Sequence, residues 1–412
     1  MGTLCERGNG EGEGHNGCGT GTSAKQSGHG CESILSVNLR LILPVSTVNL
    51  ESRRTVSEVD LPPDELSKRI SSKTNPFDAA QFTRARVEFR MAFATRQSFV
   101  WRLRSRSMEL GGRTRIMAIV NLTPDSFSGD GHMDHAAAYA SLGSSRMAVV
   151  GQKLALAAAV DAIDAGADIV DLGAESTRPQ SSPISGEEEQ GRLLPVLEGV
   201  LRERPKAIVS VDTYHASTAR AALKAGAEIV NDVSGLTWDE EMAGVVAKAS
   251  SGLVLMHTRG RPSEWAAQRR LKPDEVLPEV FAGLMEQLAL AEASGIASER
   301  IVVDPGFGFG KRGTENFTLL AGLARLHELG RPLLAGISRK GFLGDAVKAV
   351  QANERGSVDA RHIATVAANV TAVLAGAHIL RVHDVQPARE AAVVADAVLK
   401  ETIDEPWAAL SE

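Results

Sequence analysis

The body of this chain contains no cysteine. All three, Cys5, Cys18 and Cys31, fall within the first 31 of 412 residues. They are evenly spaced rather than paired as CxxC, so a solvated tail is the better reading than a metal knuckle built with His15 and His29. Disulfides therefore do not hold the fold together, which fits a cytoplasmic protein. A membrane span is also missing: no run approaches about 18 apolar residues without a charge. The most apolar stretch, SILSVNLRLILPVSTVNL, is broken by Arg40 and Pro44. The start MGTLCE has Glu6 where a myristoylation signal needs Ser or Thr, and it lacks the basic-then-apolar layout of a signal peptide. Nor is there an excess of positive charge. The formal net charge is −6 and the sequence pI is near 6.0, which argues against a nucleic-acid surface and leaves room for a local anion site. The basic stretch RARVEFRMAFATRQSFVWRLRSRS is expected to be a solvated hairpin and helix face.

What is present is organised unevenly. Residues 1–31 are rich in Gly, Ser, Glu and Asn, too polar to bury a core. Residues 32–98 have apolar patches without a clear period, with a helix expected near AAQFTRARVEFRMAFATR. The expected division is an extension over 1–98, an organised domain over 99–403 and a tail over 404–412. Alternation around Gly111-Gly112 predicts a β-hairpin leading into a buried strand.

Beyond the hairpin one grammar repeats. DAGADIVDLGAES, KAGAEIVNDVSG and LAGAHILRVHDV each carry an Ala-rich helix ending in Ala-Gly-Ala, a β-branched run and then polar residues. Gly ends the helix because a left-handed residue costs it nothing. The apolar runs are continuous, as in strands covered on both faces. Eight such runs alternate with helix-length segments: RIMAIVN, DIVDLGA, AIVSVDT, EIVNDVSG, GLVLMHT, RIVVDPG, PLLAGIS and HILRVHD. That rhythm predicts an α/β fold, a (β/α)8 TIM barrel with a short N-terminal hairpin; a doubly wound open sheet is the alternative. The long insertion HMDHAAAYASLGSSRMAV in the first βα loop is expected to be a lid or binding loop.

In such barrels the reactive groups sit where strands end. Those positions hold Asn121, then Glu175-Ser176-Thr177-Arg178, Asp212, Asn231-Asp232, His257, Asp304, Ser338-Arg339-Lys340 and Arg381-Val382-His383-Asp384. Asp212, Asn231 and Asp304 suit the in-plane hydrogen-bonding edge of a flat heterocycle. Arg381 and His383, two apart on an extended segment, face one side beside Asn121 and make an anion and metal corner. Each residue also has a plainer reading. Asn231 would cap a helix, Asp304 before proline would form a turn, and His257 would be structural. Glu175 would orient Arg178, and Asp384 would order its loop. The glycine run DPGFGFGKRG is no P-loop, because Arg312 follows Lys311 where Ser or Thr is needed. It reads as the turn after the sixth strand.

The motifs MAIVNLTPDSFS, GAESTRP, SVDT, NDVSG, DPGFGFGK, SRK and RVHDV, in this order over about residues 112–400, resemble the dihydropteroate synthase family. The resemblance implies condensation of a dihydropterin methyl diphosphate with 4-aminobenzoate, assisted by Mg²⁺, in a homodimer, with diphosphate leaving before the arylamine attacks. It implies that Asp212, Asn231, Asp304 and Lys340 hold the pterin, and that Asn121, Arg381 and His383 hold the diphosphate, Asn121 also serving Mg²⁺. It assigns Thr177, Arg178, Pro179, Phe127, Phe309, Ser338 and Lys340 to the aminobenzoate site. The chain departs from the family at SGDGH after DSFS, which displaces the loop aspartate to Asp130. Two other readings stay open: a pterin-binding methyltransferase barrel, and a non-catalytic pterin-binding paralogue. The first would not need the DSFS, ESTRP and SRK loops; the second would be expected to lack Lys340, Arg381 or His383.

Overall fold

The structure, a computed structural model, describes residues 96–122, 144–177, 181–350 and 358–401. The chain divides into two units, Met1–Arg84 and Ala85–Glu412, and every described residue belongs to the second. The expected extension up to residue 95, nearly all of the helix expected at 79–96, the tail 404–412, the first-loop residues Phe127 and Asp130, and Arg178 and Pro179 lie outside the described residues.

The Ala-Gly-Ala repeats end helices as their chemistry requires. Gly226 takes φ +117° and its N–H reaches back to the carbonyls of Ala222 and Leu223; Gly166 and Gly376 adopt the same left-handed conformation. Each of the three then turns directly into a strand. The elements run β1 (Phe99–Arg102), β2 (Ser107–Leu110), β3 (Arg115–Asn121), α1 (Ser144–Asp164), β4 (Ile169–Gly173), α2 (Gly186–Glu203), β5 (Val209–Asp212), α3 (Ala216–Ala225), β6 (Ile229–Asp232) and α4 (Met242–Ala249). They continue through β7 (Gly252–Met256), α5 (Pro273–Ala293), β8 (Ile301–Asp304), α6 (Thr314–Ala321), β9 (Leu334–Ala335), α7 (Gly341–Val347), α8 (Val358–Leu374), β10 (Ile379–Val382) and α9 (Val385–Lys400).

All eight predicted strands form, and they pair in parallel in the order β8-β7-β6-β5-β4-β3-β10-β9. A parallel bridge between Val303 and Leu333 joins the two ends, with the Val303 N–H donating to the Pro332 carbonyl at 3.0 Å. The sheet closes on itself as a (β/α)8 barrel, so the open-sheet alternative is set aside.

Strand side chains alternate, and the packing shows which set faces inward. Ile116, Val120, Val170, Leu172, Val211 and Leu380 pack outward against helix residues such as Leu193, Val196 and Ala392. Met117, Ile169, Ile229, Val254, Val302, Leu334 and Ile379 face the interior, where Trp101, Leu103, Met108 and Leu110 of the hairpin fill the N-terminal end. Trp101 is buried, and its indole N–H donates to the Arg300 carbonyl at 2.8 Å. The hairpin therefore plugs the N-terminal end of the barrel interior, away from the C-terminal mouth.

The hairpin turn is not where the glycines predicted it. Phe99 pairs with Leu110 and Arg102 with Ser107, and the Leu103 N–H donates to the Arg106 carbonyl at 2.8 Å. The turn spans Leu103–Arg106, while Gly111-Gly112 links β2 to β3. The barrel supplies what glycine would have given. Buried Glu228 accepts from the Ser105 N–H at 2.8 Å, and the Arg104 Nε donates to the Ala227 carbonyl at 2.9 Å.

Candidate active site

The inward alternation set by the plug continues upward to the mouth. From Met117, Ile169, Ile229, Val302, Leu334 and Ile379, counting by two reaches Asn121, Asp171 and Gly173, Asn231, Asp304, Gly336 and Ser338, and Arg381 and His383. Asp212 is the register partner of both Gly173 and Asn231. Apolar residues thus fill the lower barrel and polar ones ring its upper part. Two inward glycines keep that ring open: a Cβ on Gly173 would touch Asp212 at 3.4 Å, and one on Gly336 would stand 3.4 Å from Asp304 Oδ2. A slot bounded by carboxylates and lacking two side chains suits a flat ligand.

Arg381 crosses the centre of this ring. Its Nε donates to Asp171 Oδ2 at 2.7 Å and its Nη2 to Asp212 Oδ2 at 2.5 Å. The Asn231 amide nitrogen donates to the same Asp171 oxygen at 2.9 Å. Burial, with the Asp171 carboxylate nearby, pushes Asp212 up to about 7 against the pull of Arg381; its side chain keeps 19% exposure at the mouth. Two carboxylates sharing one guanidinium leave an excess negative charge facing the slot. Asp304 is buried, accepts from the Gly306 N–H at 2.7 Å, and is likewise pushed up by burial.

The run after β8 bends around Lys311 rather than around a phosphate. The buried Lys311 ammonium donates to the carbonyls of Gly306 at 2.8 Å, Phe309 at 3.1 Å and His257 at 3.3 Å. Burial pushes it down to about 7. A neutral amine has only two N–H groups for these three acceptors, so the geometry calls for the ammonium form. Gly306 (φ +68°) passes so close to the His257 carbonyl that a Cβ would collide with it. Gly308 leaves space for Lys340, whose Cδ would lie 3.3 Å from a Cβ there. Lys340 in turn sets its Nζ 4.3 Å from the centre of the Phe309 ring, which meets Trp265 edge-on. Lys340 and Phe309 thus form one wall beside Asp304.

At the opposite side of the mouth, His383 is half-buried, and desolvation, with the neighbouring Arg339 and Arg381, pushes it down to about 3. The His383 backbone N–H donates to Ser338 Oγ at 3.2 Å, and the ring Nδ1 lies 3.0 Å from the same oxygen. A Ser338 hydroxyl that donates to Nδ1 would leave the proton of the neutral ring on Nε2, as a donor toward the mouth. Asp384 accepts from Arg339 Nη2 at 2.7 Å and lies 3.3 Å from His362, so it orders the loop, as its plainer reading has it.

The predicted residues Asp212, Asn231, Asp304, Ser338, Lys340, Arg381 and His383, with Phe309, converge on this mouth. Asn121 is inward on β3 between β4 and β10, and its side chain makes no hydrogen bond among the described residues. Thr177 is half-buried on the segment after β4. Glu175 holds that segment in place. It accepts from the Tyr214 hydroxyl at 2.5 Å and lies 3.0 Å from His215 Nε2. The His257 ring packs against Gly283, and burial pushes it well below its usual range, consistent with a structural role. Two residues escaped the sequence reading, Asp171 and the organising role of Lys311. Attention to strand ends passed over a charge in mid-strand, although an aspartate inside a continuous apolar run must find a buried partner. Counting by two would have turned it inward.

The comparisons agree with this geometry. The family model described as "Pterin binding enzyme" matches residues 117–383. The chain is 40% identical over 286 residues to a dihydropteroate synthase of Escherichia coli, covering 69% of this chain and 91% of that one. It is 39% identical over 300 residues to a mitochondrial folate synthesis bifunctional protein of Pisum sativum, covering 70% of this chain and 54% of that one. The chain thus spans about half the length of the plant relatives it matches. A solved Xanthomonas albilineans dihydropteroate synthase with 4-aminobenzoic acid superposes with a TM-score of 0.62 at 37% identity, covering 73% of this chain and 98% of that one. The chain belongs to the pterin-binding enzyme family.

Proposed function

We propose that this chain is a dihydropteroate synthase. It joins 6-hydroxymethyl-7,8-dihydropterin diphosphate to 4-aminobenzoate and releases diphosphate, in the formation of folate. The reading rests above all on one observation: acceptors of a pterin edge (Asp212, Asn231, Asp304) and donors for an anion (Arg381, His383) meet at the C-terminal mouth of the barrel. The name of the bacterial relatives, dihydropteroate synthase, and the 4-aminobenzoic acid in the Xanthomonas structure support the same pairing of substrates.

In this reading the pterin lies flat in the slot that Gly173 and Gly336 leave open. Asp212, Asn231, Asp304 and Lys340 hold its edge. His383 donates through Nε2 to the diphosphate, and Arg381 reaches it through Nη1, which no carboxylate occupies. Asn121 stands at the same corner. Its amide oxygen would be one ligand for a Mg²⁺ that arrives with the diphosphate. Bound there, Mg²⁺ would withdraw charge from the leaving diphosphate.

The carbon–oxygen bond breaks first, and its electron pair leaves with the diphosphate. Asp212 and Asp304, in their ionised forms beside the ring, stabilise the cation left on the exocyclic carbon. The arylamine lone pair then forms the carbon–nitrogen bond, and the amine proton passes to solvent. Phe309 and the Lys340 stem wall the arylamine side, with Thr177, Arg178, Pro179, Ser338 and Phe127 assigned there as well. A homodimer is proposed on the same resemblance, and a cytoplasmic location on the lack of cysteine in the body of the chain.

The test is turnover by the purified chain. Asp304→Ala and Lys340→Ala should each abolish formation of the condensed pteroate and pterin binding. Near-normal activity in either variant would sink the site assignment.

A further inference from the structure

Asp171 is the one charged side chain in the lower tier of the ring that belongs to no motif of the family resemblance. Its residue is 1% exposed, it lies one inward step below Gly173, and its register partners are Ile119 and Ser210. A carboxylate so placed is costly unless paired. Here one oxygen, Oδ2, accepts from both Arg381 Nε and Asn231 Nδ2, while Oδ1 has no partner. The carboxylate does not reach the open slot itself. It acts on two groups that do.

The consequences are directional. A carboxylate can only accept, so the Asn231 amide must turn its nitrogen toward Asp171. Its Oδ1 and its second N–H are then left for a ligand. On Arg381 the Nε–Nη2 edge is taken by Asp171 and Asp212, and the Nη1 side remains. We infer that Asp171 is a positioning residue that sets, from beneath the site, the amide polarity of Asn231 and the plane of Arg381, and thereby selects a ligand edge bearing an exocyclic amino group. This deepens the proposed pterin reading and rests on it.

Asp171→Asn tests the inference, because an asparagine of nearly the same shape can donate as well as accept and lets Asn231 turn over. The wild type should bind 6-hydroxymethylpterin well in preference to its 2-deamino analogue. The variant should bind the pterin about tenfold or more weakly, the equivalent of one charge-assisted hydrogen bond. Its preference for the amino compound should fall toward unity. The KM for pterin diphosphate should rise by a similar factor, while the KM for 4-aminobenzoate stays within about twofold, less than a single lost hydrogen bond. An unchanged preference ratio, or equal rises in both KM values, would overturn the inference, since a merely structural role moves both substrates alike.

If the variant does not fold, the wild-type protein decides. With asparagine side chains labelled by ¹⁵N and the Asn231 amide assigned through Asn231→Ser, one of its two protons should persist in D₂O without ligand. Exchange of both at the solvent rate would overturn the inference. Wild-type protein that binds pterin without turnover would fault the proposed reaction alone, and the binding arms would still report on Asp171. Wild-type protein that does not bind pterin would overturn both.

Discussion

Replacing Lys311 with methionine should lower the melting temperature by about 6–12 °C and loosen the turn that carries Asp304 and Phe309. Methionine keeps the length and the apolar stem of the side chain and removes only the ammonium. Three hydrogen bonds are lost, to Gly306, Phe309 and His257; bonds to a charged group contribute about 1.5–3 kcal/mol each. Two terms offset that sum. The charge no longer has to be buried, a cost reflected in the downward push of Lys311 to about 7. The Gly306 and Phe309 carbonyls also keep backbone partners, Phe309 N–H at 3.1 Å and Arg259 N–H at 3.5 Å. The His257 carbonyl loses its ammonium donor, a penalty of about 1–3 kcal/mol. A net loss of about 3 kcal/mol, at roughly 2–4 °C per kcal/mol for a domain of this size, gives the stated range. Calorimetry reads the shift and pterin titration reads the turn. A melting temperature within about 1 °C of wild type, well below what 1 kcal/mol moves, would refute the reasoning.

Three further perturbations probe other parts of the account. Arg381→Ala strands Asp171 and Asp212 without their counter-charge, so it should cost about 3–5 kcal/mol of stability and weaken the diphosphate substrate more than free pterin. Equal losses for both ligands, or a wild-type melting curve, would contradict the placement of Arg381. His378 accepts from the Leu333 N–H through Nδ1 and lies 2.9 Å from the Gln97 carbonyl through Nε2, so it is neutral in the fold, and burial pushes it down to about 4. A folded pKa below the unfolded value of about 6.5 means its contribution is complete above pH 6.5 and is lost as pH falls toward 4, on the order of 3 kcal/mol in all. Urea unfolding followed against pH should show this slope in wild type and lose it in His378→Gln; identical slopes would rule it out. Deleting residues 1–80, well before the ion pair of Arg96 with Asp396 at 2.7 Å, should leave a folded, active chain, and an inactive or insoluble product would show that segment to be required.

The barrel was legible because its strands announce themselves three times over: a glycine stop, a continuous β-branched run and a polar end. Closure was not legible, since it depends on one bridge, Val303 to Leu333, that no local pattern encodes. The hairpin turn was misplaced because Gly111-Gly112 satisfies turn chemistry by itself, whereas the actual turn borrows its stability from Glu228, more than 100 residues away. In the site, the strand-end residues were found by type and position. Asp171 was not, because its role exists only through Arg381, 210 residues distant. The lysine in DPGFGFGK shows the same limit. Its spacing rules out a phosphate loop, yet only the fold reveals three carbonyls waiting for it.

The central claim is that this mouth binds a pterin diphosphate and passes its pterin methyl group to an arylamine. It is tested most directly by measuring diphosphate release from 6-hydroxymethyl-7,8-dihydropterin diphosphate with and without 4-aminobenzoate, alongside the mass of the pterin product. The account predicts release accelerated by the arylamine and matched one-for-one by condensed pteroate. Release indifferent to the arylamine and yielding only the hydroxymethyl pterin would contradict it.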